Sequence, residues 1–266
     1  MTSWPGFLAV FAAIGAISGL LAGMFGIGGG LIRIPLFLAL FPAFGIHAGI
    51  EMAVAAGTSL ALAVPASLAA VNRHRQQGTL DQAYAVTWAL ALIPGVMVGV
   101  AAAPHLPQQA LRTAFLGFVL LMIAVFLFPP DRLSLFNQPP RGPLKAALAG
   151  AIGAYCSSIG VGGGAVATPL MTVCSLPLQR ALALGSTTAA VVASVGTVVS
   201  IVKGWGVSDL PAWSLGYVDG RLFLVMVPGA TALAPLGVEL ASRMDAALLH
   251  RLYALMLVVI AVSMVI

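Results

Sequence analysis

The chain has 266 residues, of which 61% are hydrophobic and 7% are charged, and its mean hydropathy is +1.07. Soluble domains carry about a quarter charged residues, so this composition excludes a water-soluble globular protein and predicts one integral membrane domain over 1–266. We interpret the net charge of +5 as Lys and Arg in cytoplasmic loops. The sequence has no basic cluster interleaved with aromatic residues, so nucleic acid is not an expected partner.

Apolar runs predict helices from one end of the chain to the other. In chain order they are at about 6–24, 30–41, 48–71, 82–103 and 108–128, then at about 144–158, 163–175, 178–203, 218–240 and 246–266. The segment from Gly30 to Phe41 is about 18 Å long at 1.5 Å per residue, which is too short for a hydrocarbon core of about 30 Å. We therefore predict an all-α polytopic membrane protein in which each half has a broken, re-entrant helical hairpin followed by three transmembrane helices.

The two halves share motifs in the same order, which predicts an internal duplication. MFGIGGGLIRIP at 24–35 matches SIGVGGGAVATP at 158–169, and the stretches AAGTSLALA and ALGSTTAAV match further on. Repeat 1 is predicted at 1–128, a polar linker at 129–143 and repeat 2 at 144–266. An odd number of spans in each half, together with net positive charge in the loop from Asn72 and in the linker, favours inverted repeats. Parallel repeats are the alternative.

The glycine runs suggest an anion site. A helix that begins at a glycine run presents free N–H groups and the positive end of its dipole, and paired broken helices point to the binding site of a transporter. Close packing of helices through small residues is the alternative explanation. The substrate-binding glycines predicted on this basis are Gly28, Gly29, Gly30, Gly162, Gly163 and Gly164.

Arg33 lies three residues into the first short helix, where its counterpart in the second half is Ala167. A cation inside a membrane is costly and marks a functional site by default, and its guanidinium suits an oxyanion. The alternatives are an arginine that reaches to the interface or one that pairs with Glu51. Glu51 is itself a candidate proton carrier, with helix capping or an interfacial position as the alternative.

Hydroxyl side chains recur beside the glycine motifs and are predicted as further anion ligands. Hydrogen bonds to carbonyls of their own helices are the alternative for such residues. The predicted residues are Thr58, Ser59, Ser186 and Thr187 in the matched mid-helix stretches, and Ser157, Ser158 and Thr168 around the second glycine run.

These motifs resemble the TauE/SafE sulfite exporter family, also called the toluene-sulfonate uptake permease family. The resemblance rests on FGIGGGLIRIPLF and IGVGGGAVATPLM, on the GTS and GSTT stretches, and on the IPG and VPG helices, and it spans essentially the whole chain. It implies the movement of sulfite, sulfonates or other small anions, often outward. Arg33 departs from the aliphatic residue that the family leads us to expect there.

The predicted function is secondary transport of small sulfur-containing anions, sulfite or an organosulfonate, outward across the bacterial inner membrane by alternating access. A passive small-anion channel and a non-transporting membrane scaffold are the alternatives. No enzymatic activity is expected, because no catalytic motif of the GxS, HExxH or paired-aspartate type occurs, and no cofactor or metal is expected. The predicted partners are a small anionic substrate and the lipid bilayer, and a homodimer is one oligomeric state that the sequence leaves open.

Overall fold

A computed structural model describes residues 4–25, 29–44, 46, 49–127, 138–208 and 210–265. Gly28 and residues 129–137 of the predicted linker lie outside these ranges. The described helices are α1 (Trp4–Phe25), α2 (Gly30–Leu40), α3 (Glu51–Gln76), α4 (Gln82–Ala102), α5 (Gln108–Leu127), α6 (Gly142–Ser158), α7 (Gly164–Val173), α8 (Leu178–Gly204), α9 (Gly220–Arg243) and α10 (Ala246–Val265). Each of them corresponds to a helix predicted from the apolar runs.

The helices are those of an all-α polytopic membrane protein. Within the described ranges, five helices are long and apolar enough to cross a membrane, namely the ones at Leu8–Phe25, Glu51–Gln76, Gln82–His105, Leu178–Gly204 and Gly220–Arg243. Two of them begin at an aspartate cap: Asp81 accepts the N–H of Tyr84 at 3.1 Å, and Asp219 accepts the N–H of Arg221 at 2.9 Å. Such caps satisfy backbone donors that have no partner inside the helix.

A short antiparallel hairpin was not predicted. Its strands are β1 (Ser214–Leu215) and β2 (Val218–Asp219), with Ser214 opposite Asp219. We call residues 214–219 the hairpin, and the end of the helix bundle where it lies the hairpin side.

Contacts between helix ends define the end of the bundle opposite the hairpin, which we call the linker side. There Arg73, at the end of α3, forms an ion pair with Glu239, near the end of α9. On the hairpin side, Glu51 at the start of α3 pairs with Arg112 of α5 at 2.8 Å. Helices α3 and α9 therefore run from the hairpin side to the linker side, whereas α4 and α8 run the other way.

Two close helix pairs are built on glycine, α1 with α9 and α4 with α6. A Cβ added to these glycines would lie 1.9–2.5 Å from a carbonyl oxygen of the facing helix, so only glycine permits the approach. In each pair, the residue numbers of the facing positions rise together along the two helices, so the helices of each pair are parallel. They are Gly15 with Met226, Gly19 with Ala230 and Gly23 with Ala234 on α1 and α9, and Gly95 with Gly150 and Gly99 with Ala154 on α4 and α6.

It follows that α1 runs toward the linker side and its counterpart α6 runs toward the hairpin side. Likewise, α3 and its counterpart α8 run in opposite directions at the centre of the bundle, where Trp88 of α4 donates from Nε1 to Thr188 of α8 at 2.9 Å. Opposite directions are what inverted repeats require. The duplication and its orientation in the membrane stay predictions.

Candidate functional site

The two short helices begin in the same way. Helix α2 starts after Gly29, whose φ is +76°, and α7 starts after Gly163, whose φ is +74°. Both φ values lie in the left-handed region that glycine adopts without strain. Each helix also has a proline five residues after its first glycine, Pro35 in α2 and Pro169 in α7. The first N–H groups of both helices have no partner within the helix.

The start of α2 touches the turn that precedes α7. A Cβ on Gly30 would lie 2.6 Å from the carbonyl oxygen of Gly160 and 3.0 Å from Cα of Val161. Ser59 of α3 donates from Oγ to the same Gly160 carbonyl at 3.1 Å. We call Gly29, Gly30, Ser59, Gly160 and Val161 the turn junction. The structure thus brings the two glycine segments together, as the sequence predicts.

The second glycine segment lies deep in the bundle. A Cβ on Gly163 would lie 3.1 Å from Thr188 and 3.3 Å from Val192, which are near the middle of the 27-residue helix α8. Arg141, at the start of α6, and Leu176, after the end of α7, line the same cavity on the linker side. Helices α6 and α7 therefore enter and leave on one side, with their connecting turn buried. Gly162 and Gly164 are buried in this turn as well.

Arg33 is completely buried, next to Gly29. Its Nε donates to Oγ of Ser18 in α1 at 3.0 Å, and its Nη1 donates to the carbonyl of Ser59 in α3 at 2.8 Å. A Cβ on Gly29 would lie 2.3 Å from its Nη2. Arg33 thus connects three helices at the turn junction. Glu51 is paired with Arg112 instead, on the hairpin side.

Most of the predicted hydroxyl ligands have protein partners. Thr187 and Ser158 bond carbonyls of their own helices, which is the alternative considered for them, and Thr58 is covered by the hairpin. The partners are the N–H of Asp219 for Thr58, and the carbonyls of Gly160 for Ser59, Ala183 for Thr187, Val96 for Ser157 and Tyr155 for Ser158.

Thr168 and Ser186 differ from the other predicted hydroxyls. These residues are only 7% and 1% exposed, and neither hydroxyl has a hydrogen-bond partner among the described residues. Burying a hydroxyl without a partner costs about 1–3 kcal/mol. Such groups are rare in native structures and call for a specific explanation.

The two unsatisfied hydroxyls lie on adjacent antiparallel helices. Residues 174–177 join α7 to α8, and Gly163 faces Thr188 and Val192. Thr168, five residues further along α7, is therefore level with about residues 184–186 of α8. Ser186 is two residues from Thr188 and so lies on a different face of α8. Thr168 lies one helical turn from the N-terminus of α7.

Two cavities lined by described residues differ in size. One of about 280 Å³ lies on the linker side and reaches Leu184. One on the hairpin side is about 30 Å³ and contains Ser157, Ser158 and Tyr217 in its lining. The smaller volume holds little more than one water molecule.

The hairpin fills the space between α3 and α8. The N–H of Tyr217 donates to the carbonyl of Ser200 at 3.3 Å, and the N–H of Asp219 donates to Oγ1 of Thr58 at 2.9 Å. A Cβ on Gly57 would lie 2.4 Å from the carbonyl oxygen of Tyr217. Sequence reasoning missed this role of the hairpin, because its strands are two residues long and its partners in α3, Gly57 and Thr58, are far away in the sequence.

A bundle of apolar helices in which two broken helices meet at buried glycine turns is the architecture of a membrane transporter. The chain matches the family model "Sulfite exporter TauE/SafE" over residues 11–264 and belongs to that family. It is therefore an integral membrane protein of a transporter family.

Named relatives agree with this class. A probable membrane transporter protein of Haemophilus influenzae is 27% identical, over 97% of this chain and 98% of the relative. A probable membrane transporter protein of Methanocaldococcus jannaschii is 25% identical, over 90% of this chain and 88% of the relative. No solved structure gives a significant match.

Proposed function

We propose that the protein is a secondary transporter that exports small sulfur-containing anions, sulfite or an organosulfonate, across the bacterial inner membrane. The observation that carries this proposal is the Thr168 hydroxyl, which is buried and has no hydrogen-bond partner among the described residues, one turn from the N-terminus of α7. An oxyanion that entered there would receive hydrogen bonds from this hydroxyl and from the first N–H groups of the helix. Ser186 belongs to the wall around this site.

The remaining site residues are proposed in two roles. The glycines of the two turns, Gly28–Gly30 and Gly162–Gly164, supply N–H groups and close approach, and Thr187 and Ser157 belong to the surrounding wall. Arg33 supplies positive charge next to the turn junction and holds the junction in place through Ser18 and Ser59. Helix dipoles and a fixed cation both favour an anion.

The proposed orientation in the membrane rests on the charges at the two sides. Lys and Arg concentrate in cytoplasmic loops, and the described cations near helix ends are more numerous on the linker side, which we take as cytoplasmic. Those on the linker side are Arg73, Arg75, Arg141, Lys145, Arg180, Arg243 and Arg251, and those on the hairpin side are Arg112, Lys203 and Arg221.

In the proposed cycle, the arrangement seen here is the cytoplasm-facing state. The larger cavity opens to the linker side, and the hairpin closes the hairpin side through Tyr217 and Asp219. Rocking of one half of the protein against the other would close the linker-side cavity and open the hairpin side. A membrane potential that is negative inside favours anion exit, and Glu51 is the proposed site for any proton coupling.

Ligand binding is tested with the purified full-length protein. A ligand that binds the folded state raises its thermal stability with concentration. We expect sulfite or a sulfonate such as sulfoacetate to raise the unfolding temperature, with sulfate, thiosulfate and taurine as comparison ligands. If no sulfur anion shifts the unfolding temperature at millimolar concentration, the proposed substrate class is wrong.

A further inference from the structure

The linker-side cavity is lined by arginines that are not part of the proposed substrate site. Four segments build it: the loop before α4 with Tyr84, the end of the linker at Pro139 and Arg141, the α7–α8 loop, and the first turns of α8 with Arg180. Its volume of about 280 Å³ accommodates a small anion together with several water molecules, each of which takes about 30 Å³ of liquid.

Two guanidinium groups line this cavity. No described residue forms an ion pair with Arg141 or Arg180, and both are exposed to the cavity and solvent. Lys145 adds a third cation beside the cavity, with its Nζ 5.4 Å from the centroid of the Tyr84 ring. Three cations from two chain segments, the start of α6 and the start of α8, therefore make the local charge positive.

Asp81, the acidic residue in the described lining, already accepts a hydrogen bond. Oδ1 of Asp81 accepts the N–H of Tyr84 at 3.1 Å as the cap of α4. Nearby on the same side, Glu239 is held by Arg73 and Arg243. Three cations thus outnumber the one capping carboxylate, and an anion bound between the guanidinium groups would offset part of the remaining positive charge.

We propose that this cavity is a second anion site, in which Arg141 and Arg180 bind a small oxyanion on the linker side before it enters the bundle. The chemistry recognised is a sulfonate-type or phosphate-type oxyanion, for which paired guanidinium groups are suited. The cavity reaches Leu184, in the second turn of α8. The identity of the transported ligand and its onward movement rest on the proposed function, whereas binding of an oxyanion in the cavity does not.

The test compares four forms of the full-length protein: wild type, Arg141→Gln, Arg180→Gln and the double variant. Arg75→Gln is the matched control, because Arg75 is an exposed arginine on the same side that is not in the cavity lining. Binding is measured by thermal shift in neutral detergent, with sodium sulfite and with inorganic phosphate as separate probes. The unfolding temperature without ligand verifies that each variant is folded.

We expect the double variant to weaken binding of the oxyanion by at least about tenfold, since hydrogen bonds to charged groups are the strong ones. Arg75→Gln should stay within about twofold of wild type, and added salt should weaken wild-type binding more than that of the double variant. Equal affinities in the double variant and in Arg75→Gln would overturn the proposal.

A further set of measurements distinguishes a free anion from a lipid headgroup as the occupant of the cavity. Phosphatidylglycerol and neutral phosphatidylcholine are each added to the detergent-solubilised protein. If the arginine-dependent shift follows phosphatidylglycerol and neither free anion, the occupant is a lipid headgroup, and a vestibule for transported anion is contradicted. If phosphate binding depends on both arginines while no sulfur anion binds the wild type, the cavity site stands and the proposed substrate class fails.

Discussion

Replacing Thr168 by valine should affect ligand binding and stability differently. Valine has nearly the same shape as threonine, with a methyl group in place of the hydroxyl. The Thr168 hydroxyl has no partner among the described residues, so the substitution breaks no hydrogen bond in the folded protein. It removes a buried group whose desolvation costs about 1–3 kcal/mol. We therefore expect the free energy of unfolding to stay level or to rise by about 1 kcal/mol.

The effect on anion binding should have the opposite sign. A hydrogen bond to a charged group contributes about 1.5–3 kcal/mol, which corresponds to about a 10- to 150-fold loss of affinity. The same variant should thus be at least as stable as the wild type and bind sulfite far more weakly. No purely structural role of Thr168 produces this combination.

Thr172→Val is the matched control, one turn further along the same helix. Oγ1 of Thr172 donates to the carbonyl of Thr168 at 3.0 Å, so its loss should lower stability by about 0.5–1.5 kcal/mol and leave the sulfite affinity unchanged. Both variants are measured by denaturant unfolding and by ligand-dependent thermal shift. The reasoning is refuted if Thr168→Val is destabilised like Thr172→Val and binds sulfite as tightly as the wild type.

Three further predictions concern the turn junction and the charged residues. Gly160→Ala should destabilise the protein by more than about 3 kcal/mol, because its φ is +72° and the new Cβ would lie 2.5 Å from Cα of Ala56; a wild-type unfolding curve would contradict this. Arg33→Leu should lower the free energy of unfolding by at least about 2 kcal/mol through the loss of its two buried hydrogen bonds, and lysine should restore little of it; full stability of the leucine variant would show that these bonds are dispensable. Glu51→Gln should change stability by less than about 1 kcal/mol, because Arg112 is 43% exposed in this pair, and it should abolish any dependence of transport on a pH gradient; transport that still follows the gradient would exclude Glu51 as the proton carrier.

The helices were predictable because a membrane protein has few ways to satisfy its backbone. Apolar runs with few charges indicate helices, and the sequence has ten of them. The end of α3 shows what the apolar pattern leaves out: the helix continues to Gln76 rather than to about residue 71. Its polar last turn is held by the pairing of Arg73 with Glu239, a residue far away in the sequence.

The meeting of the two glycine segments was also predictable, because the motif occurs twice with the same spacing to proline. Two separate structural requirements explain the described glycines of these segments. Gly29 and Gly163 need positive φ, and Gly30 and Gly160 need close approach of the backbone. Small-residue packing therefore accounts for part of the motif, and it is compatible with a binding site at the same place.

The partners of individual polar groups could not be predicted. That Arg33 bonds Ser18 and Ser59, or that Thr168 remains unsatisfied while Thr187 does not, depends on how α1, α3, α7 and α8 face one another. Hydropathy patterns determine which segments are helices and carry little information about their rotation. The same holds for the hairpin, whose position depends on contacts with Gly57 and Thr58.

The central claim is alternating-access transport of a small sulfur oxyanion, and it is tested most directly by counterflow in proteoliposomes. Vesicles that contain the purified protein are loaded with unlabelled sulfite, and the entry of ³⁵S-sulfite is followed against a control with empty vesicles. We predict saturable entry that internal sulfite accelerates and that Thr168→Val reduces at subsaturating sulfite. Entry that rises linearly with concentration and does not respond to internal sulfite would identify a passive channel, and the absence of protein-dependent entry for every sulfur anion tested would contradict the account.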